Sequence, residues 1–334
     1  MKLGIIGAGS WGTALAVIAG RAGHEVRLWS RNAEVVDSIN RYHTNPFYLK
    51  ETQIPDSVQA SKDILQVAEA AELLILAAPS HATRELFSQM STVLRRDVIV
   101  VSAAKGIEIE TGKRISQIVN EIVSAERRPR FVCLSGPSFA KEVVVDHPTA
   151  VVAAGEDADA TRLVQSTLSF QNLRIYTNDD VVGTELAGSL KNVIAIAAGM
   201  VAGLGFGSNS LAALITRGLA EITRLAVNQG GQIETMIGLA GVGDLVLTCT
   251  GNLSRNRFVG EELGKGRALQ EIQSEMSEVA EGVKTTLAAK GLAERAGVQM
   301  PITDEVHAVL YAKKSVRDAV AELMSRPLQT EKNW

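Results

Sequence analysis

The chain has 334 residues, a formal net charge of -3 and a hydrophobic fraction of 46%, the balance of a soluble globular protein with room for two domains that each bury a core. The mild negative charge argues against nucleic acid as a main partner and gives membrane-surface binding no support, so an anionic ligand has to be met by local cations. Cys133 and Cys249 lie far apart, without C-x-x-C spacing or a histidine cluster at ligand spacing, which argues against a disulfide framework or a metal site.

Residues 2–6 read as a short buried strand that runs into Gly7-Ala8-Gly9-Ser10-Trp11-Gly12 and then an Ala-rich helix. Strand, glycine turn and helix in that order form the phosphate end of a dinucleotide-binding unit. Gly7 permits the tight turn, Gly9 lets backbone N–H groups approach a pyrophosphate, and Gly12 allows helix and strand to pack closely. The positive end of the helix then faces the phosphates. The second strand is predicted over 25–29. A unit that prefers NAD places a carboxylate at the end of this strand, whereas here the chain reads Ser30-Arg31-Asn32 and the first carboxylate is Glu34. Arg31 is suited to pair with a 2′-phosphate while its guanidinium lies on the adenine, which favours NADP(H) over NAD(H). Residues 14–19 are apolar, but the glycines before them and the strand behind them mark a folded helix, not a secretory signal.

Further strands are predicted at 73–77, 98–102, 131–134, 149–153 and 173–176, as near-continuous apolar runs that suit a parallel sheet covered on both faces, with antiparallel pairing allowed late in the series. After about Val181 the alternation gives way to long segments rich in Ala, Leu and Glu, without proline until Pro301. Helices are predicted over 183–204, 209–229, 232–239, 255–265, 283–296 and 303–312. The fold class is therefore α/β: a doubly wound dinucleotide-binding sheet over 1–180 and an all-helical substrate and catalytic domain over 181–334. With no low-complexity linker between them, a ligand cleft between the halves is expected. The apolar run 193–206 is broken by Gly199, Gly203 and Gly205 and is shorter than the ~18 residues of a membrane span, so no membrane insertion and a cytoplasmic location are expected.

A nicotinamide enzyme needs side chains that bind, orient and move a proton. Lys105 follows a strand and lies at the carboxyl end of the sheet, where open α/β folds place ligands. Gly136-Pro137-Ser138 follows another strand and offers backbone N–H groups and a hydroxyl. Lys191 stands at the polar start of an apolar helix, where burial and a neighbouring cation such as Lys105 would lower its pKa toward the range useful for proton transfer. Asn192 faces another direction on that helix. Gly241-Val242-Gly243-Asp244 reads as a polar loop whose Asp244 either orients Lys191 or a substrate hydroxyl, or caps the next helix. Ser254, Arg255 and Asn256, at a helix start, combine a guanidinium fork with helix N–H groups into a phosphate site; alternatively Ser254 is an N-cap beside a solvated arginine. None of His24, His43, His81, His147 and His307 has a diagnostic setting.

Taken together, Gly7-Ala8-Gly9-Ser10-Trp11-Gly12-Thr13, Ala104-Lys105-Gly106-Ile107, Ser135-Gly136-Pro137-Ser138-Phe139-Ala140-Lys141-Glu142, Ser189-Leu190-Lys191-Asn192, Ala240–Leu245, Ser254–Arg257 and Val279-Ala280-Glu281-Gly282 resemble the bacterial type of NAD(P)-dependent glycerol-3-phosphate dehydrogenase. The resemblance implies a Rossmann-type first domain and reversible hydride transfer between sn-glycerol 3-phosphate and the nicotinamide, with dihydroxyacetone phosphate as the ketone, supplying phospholipid synthesis. It implies Lys191 as general acid and base. Substrate would be held by Lys105, Gly136, Ser138, Lys191, Asp244, Ser254, Arg255 and Asn256. The cofactor residues would be Gly7, Gly9, Ser10, Trp11, Gly12, Arg31, Lys105, Ala140, Arg255, Val279 and Glu281, with NADP(H) preferred and NAD(H) accepted. Two rival readings are a 3-hydroxyacid or phosphogluconate dehydrogenase, against which Asp244 and the Ser254–Asn256 phosphate site argue, and a non-catalytic NADPH sensor. A homodimer is an open expectation.

Overall fold

Short apolar runs alternating with helices build one eight-stranded sheet of order β3-β2-β1-β4-β5-β6-β7-β8 in the computed structural model, which describes residues 1–276, 280–328 and 330–331. The strands are β1 (Lys2–Ile6), β2 (Glu25–Trp29), β3 (Val58–Ser61), β4 (Leu73–Leu76), β5 (Ile99–Ser102), β6 (Arg130–Ser135), β7 (Thr149–Ala154) and β8 (Leu173–Asn178). All neighbours pair in parallel except β6 and β7. The helices of this unit are α1 (Ser10–Arg21), α2 (Ala33–Tyr42), α3 (Ile64–Glu69), α4 (Thr83–Met90), α5 (Ile115–Ile122), α6 (Ala140–Val144) and α7 (Ala158–Leu168).

Period-two alternation explains why the inner strands β4 and β5 are buried throughout. Leu73 and Ile75 of β4 point into a core with α1, α2, α6 and α7, while Leu74 and Leu76 point into a second core with α3, α4 and α5. Both faces of these inner strands are covered, so neither is free to be polar, whereas β2 and β8 alternate buried and exposed residues. β3 escapes the sequence reading because Val58-Gln59-Ala60-Ser61 has no apolar run. Its edge is tied instead by Asn40, whose amide accepts from the Ala60 N–H at 2.8 Å and donates to the Ala60 carbonyl at 2.9 Å.

Packing separates the chain into Met1–Ala104 with Ile115–Val181, and Lys105–Arg114 with Val182–Trp334. A single boundary at residue 180 puts the segment 105–114 with the sheet. It packs with the helices because Ile107 is buried in their core and the Arg114 guanidinium meets the Glu185 carboxylate at 2.6 Å. The second unit contains α8 (Val181–Gly203), α9 (Ser208–Asn228), α10 (Ile233–Met236), α11 (Asp244–Thr250), α12 (Arg255–Gly264), α13 (Leu269–Glu275), α14 (Glu281–Ala296), α15 (Pro301–Tyr311) and α16 (Val316–Ser325). Thus the predicted loop around Asp244 is a π-turn over Leu239–Gly243 leading into α11, and α13 and α16 add to the predicted set.

At 23 residues α8 is long and apolar enough to cross a membrane, but 89% of its most apolar 18-residue window is buried inside the protein, as in a core helix. It lies against α12 backbone to backbone. A Cβ on Gly199 would stand 2.0 Å from the Arg257 carbonyl oxygen, and one on Gly260 1.9 Å from that of Ile196. Only glycine permits this approach. It fixes the N-terminal turn of α12 beside the middle of α8.

Candidate active site

The helical unit brings Lys105, Lys191 and Asp244 together around one carboxylate. Lys191 Nζ donates to Asp244 Oδ1 at 2.8 Å and to Thr248 Oγ1 at 2.6 Å, while Lys105 Nζ donates to Asp244 Oδ2 at 2.7 Å. Asp244 and Thr248 are one helical turn apart at the start of α11, so both face Lys191 on α8. Thr248 in turn donates to the Asp244 carbonyl at 2.6 Å, which orients its lone pairs toward the ammonium. Lys191 is 6% exposed and Asp244 1%. Burial pulls the Lys191 ammonium below its ordinary value to about 8; Asp244 opposes that shift, and Lys105 adds to it as a second positive charge.

One turn of α12 stands next to this cluster in the same unit. Ser254 is its N-cap, accepting from the Arg257 N–H at 3.2 Å, and exposed Arg255 is the first helical residue. The helix start therefore combines a capped backbone with a guanidinium, a setting suited to a phosphate. Buried Asn256 donates to Asn192 Oδ1 at 3.0 Å and accepts from the Gly282 N–H at 2.9 Å, joining α12 to α8 and to the first turn of α14. Asn192 thus points to α12, a different direction on α8 from that of Lys191. Glu281 is the first residue of α14. Val279 lies outside the described residues.

In the sheet unit, the glycine turn closes β1 with Gly7 at φ +118°, and Ser10 and partly buried Trp11 begin α1. Gly9 and Gly12 do different work. A Cβ on Gly12 would stand 1.8 Å from the Gly7 carbonyl oxygen, so packing alone demands glycine there, whereas a Cβ on Gly9 would meet nothing within 4 Å. That open space at the positive end of α1 fits a dinucleotide pyrophosphate. Arg31 is exposed between the end of β2 and Asn32, which caps α2, and has no hydrogen-bond or ion-pair partner among the described residues. Gly136 follows β6 with φ +130°, Ser138 Oγ donates to the Gly136 carbonyl at 3.1 Å, and Ala140 begins α6. His81 lies in a short 3-10 turn after β4.

Sequence reasoning missed Thr248, whose place one turn after Asp244 would have shown had 244–250 been read as a helix. Nor did it place Cys249 beside the cluster, where burial pushes the fully buried thiol up to about 12 and so keeps it protonated.

Comparison with known proteins matches residues 2–161 to the N-terminal and residues 180–321 to the C-terminal family model of NAD-dependent glycerol-3-phosphate dehydrogenase. The chain is 54% identical over 332 residues to glycerol-3-phosphate dehydrogenase (NAD(P)+) of Koribacter versatilis, covering 99% of this chain and 98% of the relative. It is 47% identical over 331 residues to the Geobacter sulfurreducens protein of the same description, with 99% of each covered. Among solved structures, glycerol-3-phosphate dehydrogenase from Coxiella burnetii superposes with a TM-score of 0.93 at 38% identity, covering 97% of this chain and 99% of that one. A D-mandelate dehydrogenase, at 17% identity and a TM-score of 0.62 over 94% and 98% of the two chains, shares the fold alone.

The contrast between the two glycines is testable. Gly9→Ala is expected to keep the apo melting temperature within a degree or so and to weaken NADPH binding at least tenfold, whereas Gly12→Ala is expected to fail to fold or to melt many degrees lower. Equal melting temperatures for the two variants would contradict the packing argument.

Proposed function

The chain belongs to the NAD-dependent glycerol-3-phosphate dehydrogenase family, and from that membership we propose that it reduces dihydroxyacetone phosphate reversibly to sn-glycerol 3-phosphate, with Lys191 moving the proton. The cofactor is NADP(H) or NAD(H). The observation that carries the reading is the Asp244 carboxylate shared by two ammonium groups, one of them buried and drawn down to about 8. A group of that acidity gives up and regains a proton near neutral pH, as general acid–base work requires.

When bound, the reduced nicotinamide supplies the hydride that the carbonyl carbon accepts. Lys191 has three N–H donors, of which Asp244 and Thr248 take two. The third is directed to the carbonyl oxygen and passes its proton there as that oxygen gains charge. The resulting neutral amine recovers a proton from solvent, and in the reverse direction it takes one from the C2 hydroxyl. Asp244 holds Lys191 and Lys105 at a set spacing, and Lys105 keeps a positive charge beside the reacting end. Arg255 and the Ser254 turn of α12 receive the phosphate, Asn256 helps through its remaining amide N–H, and Gly136 and Ser138 complete the substrate contacts. On the cofactor side Gly9, Ser10 and Trp11 receive the pyrophosphate on a turn that Gly7 and Gly12 shape; Ala140, Lys105, Arg255, Val279 and Glu281 contribute further contacts. Arg31 reads the 2′-phosphate. The product supplies the backbone of glycerophospholipids.

Oxidation of NADPH with dihydroxyacetone phosphate, set against a panel of keto acids, tests the assignment, and faster turnover of a keto acid would overturn it. Replacing Lys191 by Ala is expected to lower kcat by about 10³-fold while NADPH still binds. In the unsubstituted protein kcat/KM for reduction, which needs the ammonium, falls as pH rises through about 8, and that for oxidation, which needs the neutral amine, rises through the same pH. The opposite slopes would assign the proton to another group.

Arg31→Ala is expected to weaken NADPH by about tenfold or more, the loss of a charge-assisted contact, and NADH far less. Equal losses for both cofactors would remove Arg31 from 2′-phosphate recognition.

A further inference from the structure

We propose that Asn45 is a positioning residue for cofactor binding: it locks the Ala8–Gly9 peptide so that the Gly9 N–H faces the pyrophosphate. The inference rests on the dinucleotide reading of the glycine turn and adds a residue from outside that turn.

Asn45 lies in the segment between α2 and β3 and is completely buried, an unusual place for a carboxamide unless its polar atoms are satisfied. All of them are. Its Oδ1 accepts from the backbone N–H groups of Phe47 and Tyr48, each at 3.2 Å. Because a backbone N–H can only donate, those two bonds identify the oxygen, and the opposite face of the amide must be the nitrogen. That nitrogen donates to the Ala8 carbonyl at 3.0 Å and to Thr13 Oγ1 at 2.9 Å. Thr13, also fully buried, has then accepted one hydrogen bond and directs its own hydrogen to the same Ala8 carbonyl at 3.3 Å. Two side chains thus hold one carbonyl.

The consequence follows from peptide geometry. In a planar trans peptide the C=O and the following N–H point in opposite directions, and the described residues contain no cis peptide. With the Ala8 oxygen drawn inward to Asn45 and Thr13, the Gly9 N–H points the opposite way, away from that buried pair. Without the clamp, this peptide lies next to a glycine, the residue least able to resist rotation. Asn45 removes that freedom before the cofactor arrives, so the ordering cost is met in the fold and not at binding.

The test compares Asn45→Ala with Thr13→Val and Thr13→Ser, using the NADPH Kd from fluorescence titration, steady-state kinetics and the apo melting temperature. Asn45→Ala is expected to raise the Kd and KM for NADPH at least fivefold, with kcat at saturating NADPH within about twofold. Thr13→Val is expected to raise the Kd by a smaller factor, and Thr13→Ser, which keeps the hydroxyl, to recover it. A merely structural role would lower the melting temperature and leave the Kd where it was. A folded Asn45→Ala protein whose NADPH Kd stays within twofold of the parent overturns the inference. Should that variant not fold, an unchanged Kd in Thr13→Val overturns it instead. Gly9→Ala separates the two levels: if it binds NADPH like the parent, the glycine-turn reading fails, whereas if it loses NADPH while Asn45→Ala keeps it, only the role of Asn45 fails.

Discussion

One carboxylate between two ammonium groups governs the chemistry of the helical unit. Lys105 and Lys191 reach different oxygens of Asp244, and at 1% exposure that carboxylate is almost out of contact with bulk solvent. Breaking a buried pair of this kind by removing one partner costs about 3–5 kcal/mol, because the surviving charge stays desolvated. Here loss of the carboxylate would strand two like charges together. Desolvation still outweighs Asp244 at Lys191, which is why its ammonium is weakly held although it is paired. The arrangement keeps an ammonium group fixed in place without making its proton hard to remove.

In the reading proposed above, the sheet unit answers a different demand, the recognition of a large anion by backbone. Its glycine turn separates two requirements that a sequence motif merges: Gly12 satisfies packing inside the protein, and Gly9 leaves room outside it. The Ala8 carbonyl just before Gly9 is held by two buried polar side chains, Asn45 and Thr13. A backbone site of this sort depends on its buried support as much as on the residues at its surface.

How much of this is legible in a sequence depends on whether the signal is local. The glycine turn, the β2 end with Arg31, and Lys191 on an apolar helix are readable because each departs from its immediate neighbours. The helical character of 244–250 is hidden by Gly241 and Gly243, which read as loop although the backbone folds there as a π-turn that packs closely on Met236. Thr248 is hidden with it. Lys105 reads as part of the sheet because it follows β5, yet Ile107 and Arg114 draw its segment into the helical core. Asn45 carries no sequence sign at all, since a carboxamide before a proline is an ordinary turn residue until its burial is known. β3 is missed for the opposite reason, having too little apolar character to mark itself.

The contact of α8 with α12 through Gly199 and Gly260 has one more implication. Most helix pairs meet through side chains, which can change rotamer and so let one helix roll or slide against the other by small amounts. Where carbonyl oxygens sit directly over Cα atoms, there is nothing to repack. The pair behaves as a single stiff beam, with a cation-bearing end contributed by Arg255 and a proton-bearing middle contributed by Lys191. The spacing between the backbone positions that carry those two groups is therefore set by main-chain dimensions.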